Sequence, residues 1–188
     1  MKSKDTKTKD HKRLSKRLSF VLRHNPASID IELDTAGWVD LDLLVAQLDA
    51  VGNLSVTADE VVEMAAANDK KRFEIVDGRI RAAQGHSVDV QLGLDPIDPP
   101  AVLWHGTVDR FLDSILANGL RPSGRTHVHL SADVETARDV GSRRGTPVLL
   151  RIDATAMHNA GHKFYRSANG VWLADTVAPQ WIHREDAT

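Results

Sequence analysis

Apolar residues recur along this chain with two periods, and the change between them divides it. Leu14, Leu18, Val21 and Leu22 follow a helical repeat and predict a helix over 13–24. Pro26 disfavours helical geometry at Asn25, so the helix should stop near His24. That leaves Arg23 and His24 at a helix C-terminus, the end that stabilises cations. Asp40 can cap a second helix whose core face is Leu41, Leu44, Val45 and Leu48. Thr57-Ala-Asp-Glu60 is a capping-box pattern ahead of a third helix carrying Val61, Val62 and Ala65. From Arg72 to Arg81 the period falls to two on either side of Asp77-Gly78, a strong hairpin signal. Three helices and then a hairpin predict a winged-helix lobe over 13–89, with Arg72, Arg79 and Arg81 on the wing. A basic wing beside a basic helix end suits a polynucleotide.

Asp95-Pro-Ile-Asp-Pro-Pro100 can continue neither a helix nor a central strand, so a linker is expected over 90–101. Residues 102–188 are richer in strand signals and predict a small α+β lobe of five or six strands. A helix near 109–118 should turn Phe111, Leu112, Ile115 and Leu116 inward. Gly-Arg-Thr-His-Val-His-Leu-Ser, Gly124 to Ser131, is the most unusual stretch. Thr126 to Leu130 should be a strand with Val128 and Leu130 on one face and His127 and His129 on the other. Such a strand fits a polar sheet edge, half of a metal site, or an anion or nucleotide site.

Composition narrows these readings. Hydrophobic residues make up 41% and charged residues 27% of the 188-residue chain, an ordinary globular balance. No apolar run is long enough to span a bilayer, and the Lys-rich N-terminus lacks the apolar core of a signal peptide, so no membrane is expected and a cytoplasmic location is. The absence of cysteine excludes disulfides, thiolate nucleophiles and Cys-based zinc sites. The net charge of −2 hides an asymmetry: residues 1–24 hold nine Lys and Arg against two Asp, the remainder fifteen against twenty-four acidic residues. A globally basic nucleic-acid binder is excluded, but a local basic footprint is not. Residues 1–12 read as a flexible, solubilising tail.

No Walker lysine loop, no Rossmann glycine pattern and no obvious carboxylate pair is present. His127 and His129 lack a third ligand at a natural spacing, so no metal is expected. His105-Gly-Thr107, at a strand end, offers donors beside a residue small enough to let a ligand approach the backbone. Phe111 and Trp172 read as core residues.

Six motifs in order carry a family resemblance: Leu22-Arg-His-Asn-Pro26, Lys71-Arg-Phe73, Gln84-Gly-His-Ser87, Trp104-His-Gly-Thr107, Arg125-Thr-His-Val-His-Leu-Ser131 and Asn169-Gly-Val-Trp-Leu173. Together they resemble the NAD-dependent RNA 2′-phosphotransferases of the KptA type, from Leu14 to Ile182. The resemblance implies an RNA-binding winged-helix lobe followed by an NAD-binding lobe of the ADP-ribosyltransferase fold. It implies transfer of an internal RNA 2′-phosphate, as left by tRNA splicing or RNA repair, to NAD as co-substrate. In the first step the 2′-phosphate displaces nicotinamide; in the second the neighbouring ribose hydroxyl attacks phosphorus. The products are 2′-hydroxyl RNA, ADP-ribose 1″,2″-cyclic phosphate and nicotinamide.

By the same resemblance the catalytic set falls on Arg23, His24, Arg72 and Arg125. His105, Gly106 and Thr107 would bind the NAD ribose, with His129 and Ser131 close by and Arg143 reaching the pyrophosphate; Arg144 stands where the family often has His. Arg79, Arg81, Gln84, His86 and Ser87 are candidate RNA contacts. Val171 stands near where many ADP-ribosyltransferases carry Glu, which speaks against a protein acceptor. A monomer is expected. Two alternatives use the same features: ADP-ribosylation of terminal phosphates on RNA or DNA, and a winged-helix nucleic-acid-binding regulator that senses NAD. The second fits less well, because the arginines are spread over both lobes.

Overall fold

Leu18, Val21 and Leu22 are fully buried and Leu14 nearly so, which makes the apolar stripe of the first helix the floor of the chain's first half. The computed structural model describes residues 4–185 apart from Asn53 and Asp69, and the side chains of 4–9 are not among those described. The chain divides into two units, 1–93 and 94–188. In the first, α1 (Lys4–Arg23) is followed by a 3₁₀ turn (Pro26–Ile29), β1 (Val39–Asp40), α2 (Leu41–Ala50), α3 (Ala58–Ala66), β2 (Phe73–Val76) and β3 (Arg79–Ala82). The α1 stripe packs in one core with Leu41, Leu44, Leu48, Val61, Met64 and Ile80. Truncating Leu18 there would cost about 2–5 kcal/mol.

Both expected caps form. The Asp40 side chain accepts from the Leu43 amide at 2.8 Å, and Thr57 and Glu60 bond reciprocally. Asp77 and Gly78 both have positive φ, 48° and 72°, as a two-residue hairpin turn requires. The three strands order β1-β3-β2, all antiparallel.

Two differences from the sequence reading matter. Helix α1 starts at Lys4, so most of the basic stretch expected to be a flexible tail is helical; residues 1–3 lie outside the described residues. Residues 4–12 contain neither Gly nor Pro, so nothing in them stops the helix propagating. In α3, Val61 is buried while its neighbour Val62 is 42% exposed, because consecutive helical positions cannot share a face.

The second unit holds β4 (Val102–Val108), α4 (Asp109–Asn118), β5 (Val128–Leu130), α5 (Val134–Ser142), β6 (Pro147–Asp153), α6 (Ala154–Asn159), β7 (Phe164–Arg166), β8 (Trp172–Ala174) and β9 (Ile182–Glu185). Two antiparallel three-stranded sheets, β4-β6-β9 and β5-β8-β7, share a core of Leu103, Leu130, Leu150, Ile152, Phe164 and Trp172. A single bridge joins them: Trp104 and Ser131 exchange both backbone hydrogen bonds at 2.8 Å. The whole is an α+β arrangement of small sheets and six α-helices among the described residues.

Phe111 corrects the expected inner face of α4. It is 39% exposed under the Arg110 guanidinium, 4.8 Å from its ring centre, and Leu116 is also exposed; Leu112 alone of the four is buried. Trp172 is in the core, as its apolar neighbours suggested. Helix α6 and β7 have no counterpart in the sequence reading. Asp153, whose side chain accepts from the Ala156 amide at 3.0 Å, starts α6 directly at the end of β6, leaving no loop to signal the change.

Candidate active site

In the first unit, the groups with chemistry gather where α1 ends. The His24 and Asn25 amides both return to the Phe20 carbonyl, closing the last turn ahead of Pro26. A helix end leaves carbonyls without partners. The Arg23 carbonyl is satisfied by the Ser87 and Val88 amides at 2.8 and 3.3 Å and by the Ser87 hydroxyl at 3.4 Å. That hydroxyl also meets His24 Nδ1 at 2.9 Å. If it donates to the Arg23 carbonyl, it accepts from Nδ1–H, which fixes the side of the ring that carries that proton. Gln84-Gly-His-Ser87 is thus strapped across the end of α1.

Arg23, His24 and Arg72 line one cleft of about 630 Å³, together with Lys12, Lys16 and Lys70, and among the described residues no Asp or Glu lines it. Arg72 is aimed by Asn68, a residue the sequence reading missed. Asn68 Oδ1 accepts from Arg72 at 3.1 Å and from the Lys70 amide at 3.1 Å, while its Nδ2 donates to the buried Ser15 hydroxyl of α1 at 3.1 Å. The only sequence signal was an Asn in a turn four residues before an Arg. A planar guanidinium held from one side presents its remaining donors as a fork, a geometry that matches phosphate.

The other expected RNA contacts are placed differently. Arg81 makes a bidentate pair with Glu74, both contacts 3.1 Å, donates to the Ala36 and Leu92 carbonyls, and stacks over Trp38. Arg79 pairs with Asp34 at 2.8 Å. Arg79 and Arg81 are therefore both engaged with acceptors of their own unit. His86 is fully buried instead of standing in an open polar loop, so as placed its ring offers no face to RNA. Burial, with the charges of Arg23, Arg81 and His24 nearby, pushes its imidazole down to about 4. Neither ring nitrogen has a hydrogen-bond partner among the described residues, and the same holds for Gln84 Oε1. Ser87 is exposed, but its hydroxyl is spent on α1.

In the second unit, β5 runs over Val128–Leu130, shorter than expected, with the expected alternation: Val128 and Leu130 are buried and His129 between them is half-buried. The histidines diverge. His127 touches Thr126 and Tyr165 and lies 3.8 Å from the Asp175 carboxylate. His129 Nδ1 accepts from Arg125 at 2.8 Å. His105 Nδ1 lies 3.1 Å from the His129 carbonyl, which can only accept, so Nδ1 carries the proton. Burial pulls the His105 pKa down, the His129 carbonyl opposes this, and the Arg144 charge adds to the lowering. His105 is thus held neutral with Nε2 as its lone-pair nitrogen.

Arg144 matters a second time. Partial burial and then the Arg144 charge lower the Arg125 pKa, leaving it a permanent cation. Arg144, and not Arg143, is therefore the cation felt by the His105–Arg125 cluster. Gly106 also needs a different reason from the one expected. A Cβ there would lie 1.8 Å from the Ala137 carbonyl oxygen, so the missing side chain admits the backbone of α5. Thr107 is buried beside it, and Ser131 is half-buried in the bridge to Trp104. No group of three or more His, Asp or Glu among the described residues is placed to hold a metal ion.

Comparison with known proteins gives a consistent answer. The family model described as RNA 2′-phosphotransferase, Tpt1 / KptA family, matches residues 9–176. The chain is 53% identical over 176 residues to a probable RNA 2′-phosphotransferase of Hahella chejuensis, covering 93% of this chain and 94% of that one. It is 50% identical to proteins of the same description from Streptomyces griseus, over 90% of this chain and 94% of that one, and from Acaryochloris marina, over 91% and 95%.

Proposed function

The chain belongs to the RNA 2′-phosphotransferase, Tpt1 / KptA family, and from that premise we propose that it transfers an internal 2′-phosphate of RNA to NAD. We assign the first unit to the winged-helix RNA lobe and the second to an NAD lobe of the ADP-ribosyltransferase fold. The observation that carries the reading is the gathering of Arg23, His24 and Arg72 with Lys12, Lys16 and Lys70 around one cleft. A phosphate is already an anion and needs no base to become a nucleophile. What it needs is a set of cations that hold it and stabilise charge as phosphorus is attacked.

In the first step a phosphate oxygen bonds to the ribose carbon bearing nicotinamide, and nicotinamide leaves with the electron pair of the broken bond. In the second the adjacent ribose hydroxyl attacks phosphorus and gives up its proton to solvent, while the bond from phosphorus to the RNA 2′-oxygen breaks and that oxygen leaves with the electron pair. Ser87 engages His24 at Nδ1, so donation to that departing oxygen falls to Nε2–H of the ring in its imidazolium form. By the family motifs, Arg23 and Arg72 grip the phosphate and Arg125 stabilises its charge. The second step is intramolecular, so orientation alone can supply up to about 7–11 kcal/mol.

The second unit's residues suit NAD. The neutral His105, with Nε2 available as an acceptor, fits a ribose hydroxyl, and the exposed Arg143 and Arg144 fit a pyrophosphate. Thr107, His129 and Ser131 complete that assignment. Incubation with NAD and an RNA carrying one internal 2′-phosphate should release nicotinamide and ADP-ribose 1″,2″-cyclic phosphate. Absence of both products from folded protein would refute the function.

A further inference from the structure

The hairpin arginines Arg79 and Arg81 are engaged within their own unit, whereas α1 carries exposed lysines on the side that faces the cleft. Lys12, Lys16, Phe20 and His24 are spaced four apart and form one ridge of the helix. All four line the cleft that holds Arg23 and Arg72. Neither Lys12 nor Lys16 makes an ion pair among the described residues, and both are exposed. Lys70 lines the same cleft from the segment after α3. From Lys12 to His24 the ridge runs on the order of 18 Å along the helix, longer than one phosphate needs.

Phe20 is the other anomaly. It is 43% exposed in a cationic cleft, with the Arg17 guanidinium 6.0 Å from its ring centre and the His24 ring 6.4 Å away, tilted by 52°. A line of lysines leading to an exposed aromatic ring is the combination that tracks a single strand: phosphates on the cations, a base on the ring.

We infer that the RNA strand flanking the reacting 2′-phosphate lies along α1, its backbone phosphates on Lys12 and Lys16 with Lys70 alongside, and one base stacked on Phe20. This rests on the reading of Arg23, His24 and Arg72 as the grip on the 2′-phosphate, and it moves RNA recognition from the hairpin to the helix. The bound strand is unpaired at this point, because a base inside a duplex has no face to give Phe20.

The test compares two substrates on the full chain: a dinucleotide with one internal 2′-phosphate and an octanucleotide with the same phosphate at its centre. Binding is read by fluorescence anisotropy across a salt series, and turnover by nicotinamide release. The octanucleotide should bind more tightly than the dinucleotide and with a steeper salt dependence. The Lys12→Gln, Lys16→Gln double variant should flatten that dependence by about 1.4 in log K against log salt, two phosphates' worth for a single strand. Phe20→Ala should weaken octanucleotide binding roughly 5- to 150-fold, and Phe20→Trp should restore it. In each variant the octanucleotide should lose more affinity than the dinucleotide. Unchanged octanucleotide affinity and salt slope in the double variant and in Phe20→Ala would overturn the inference. Failure of the proposed reaction is read separately: the wild-type protein would then release nicotinamide with neither substrate, while the anisotropy comparison would still report the strand's path.

Discussion

At the scale of single residues, the site is made by side chains that never need to touch substrate. Asn68 shows this best. It ties α1, through Ser15, to the guanidinium of Arg72, and through its Oδ1 it also fixes the turn at Lys70. Asn68→Ala leaves Arg72 charged but unaimed. The expected result is a fall in kcat on the order of ten-fold or more with a smaller change in KM, since an oriented contact counts most in the transition state. Stopped-assay kinetics on protein shown to be folded would check it; wild-type kcat would show that Arg72 needs no support. His86 is the other such residue. Its imidazole is buried and held neutral, with Arg23, Arg81 and His24 facing it, and its pKa falls to about 4 from an ordinary value of 6.5. The unfolded chain binds a proton there first, so the stability tied to the neutral ring is whole above about pH 6.5 and is lost as pH falls toward 4. Urea midpoints at pH 7.5 and pH 5 should fall on acidification, by up to about 1.4 kcal/mol per pH unit from this group. In His86→Gln that part of the fall should vanish; an unaltered pH slope would refute it.

At the scale of elements, one contact decides how the second unit is layered. The α5 backbone comes so close to β4 that a Cβ on Gly106 would meet the Ala137 carbonyl oxygen. Gly106→Ala should push α5 off β4 and cost about 3 kcal/mol or more. At Gly124, with φ 64° and nothing near the missing Cβ, the same substitution carries only backbone strain, about 1–2 kcal/mol. Thermal unfolding of the two variants should rank them in that order. The contrast also marks what the sequence could reveal. Periodicity and caps were legible: α2, α3 and the Asp77-Gly78 hairpin follow from local chemistry, and so does the in–out alternation of Val128, His129 and Leu130. Gly106 was legible as special, but its contact with α5 was not, since Ala137 is 31 positions away in sequence. The pairing of Arg79 with Asp34, 45 positions away, was hidden for a like cause, whereas that of Arg81 with Glu74 follows from the register of the Asp77-Gly78 hairpin. A basic hairpin reads as an RNA surface until its carboxylate partners are located. The arginines of the site were legible only through motifs; charge reached no further than the basic excess of residues 1–24 under a net charge of −2.

At the scale of the whole molecule, the proposed reaction depends on Arg72 and Arg125 together. Both are assigned to a single phosphate, so their losses cannot be independent. Arg72→Ala removes a grip aimed by Asn68; Arg125→Ala removes a cation that also donates to His129. Each alone should slow the second step more than the first, because charge on phosphorus builds up only when the ribose hydroxyl attacks it. RNA joined to ADP-ribose through the 2′-phosphate should then accumulate and be visible as a mass gain on the oligonucleotide. The double variant should lose less than the product of the two single losses, since once the phosphate is held loosely the second cation has less to act on. Losses that multiply cleanly, with no ADP-ribosylated RNA in either single variant, would mean that the two arginines serve separate ligands, and the assignment of a shared phosphate would fall.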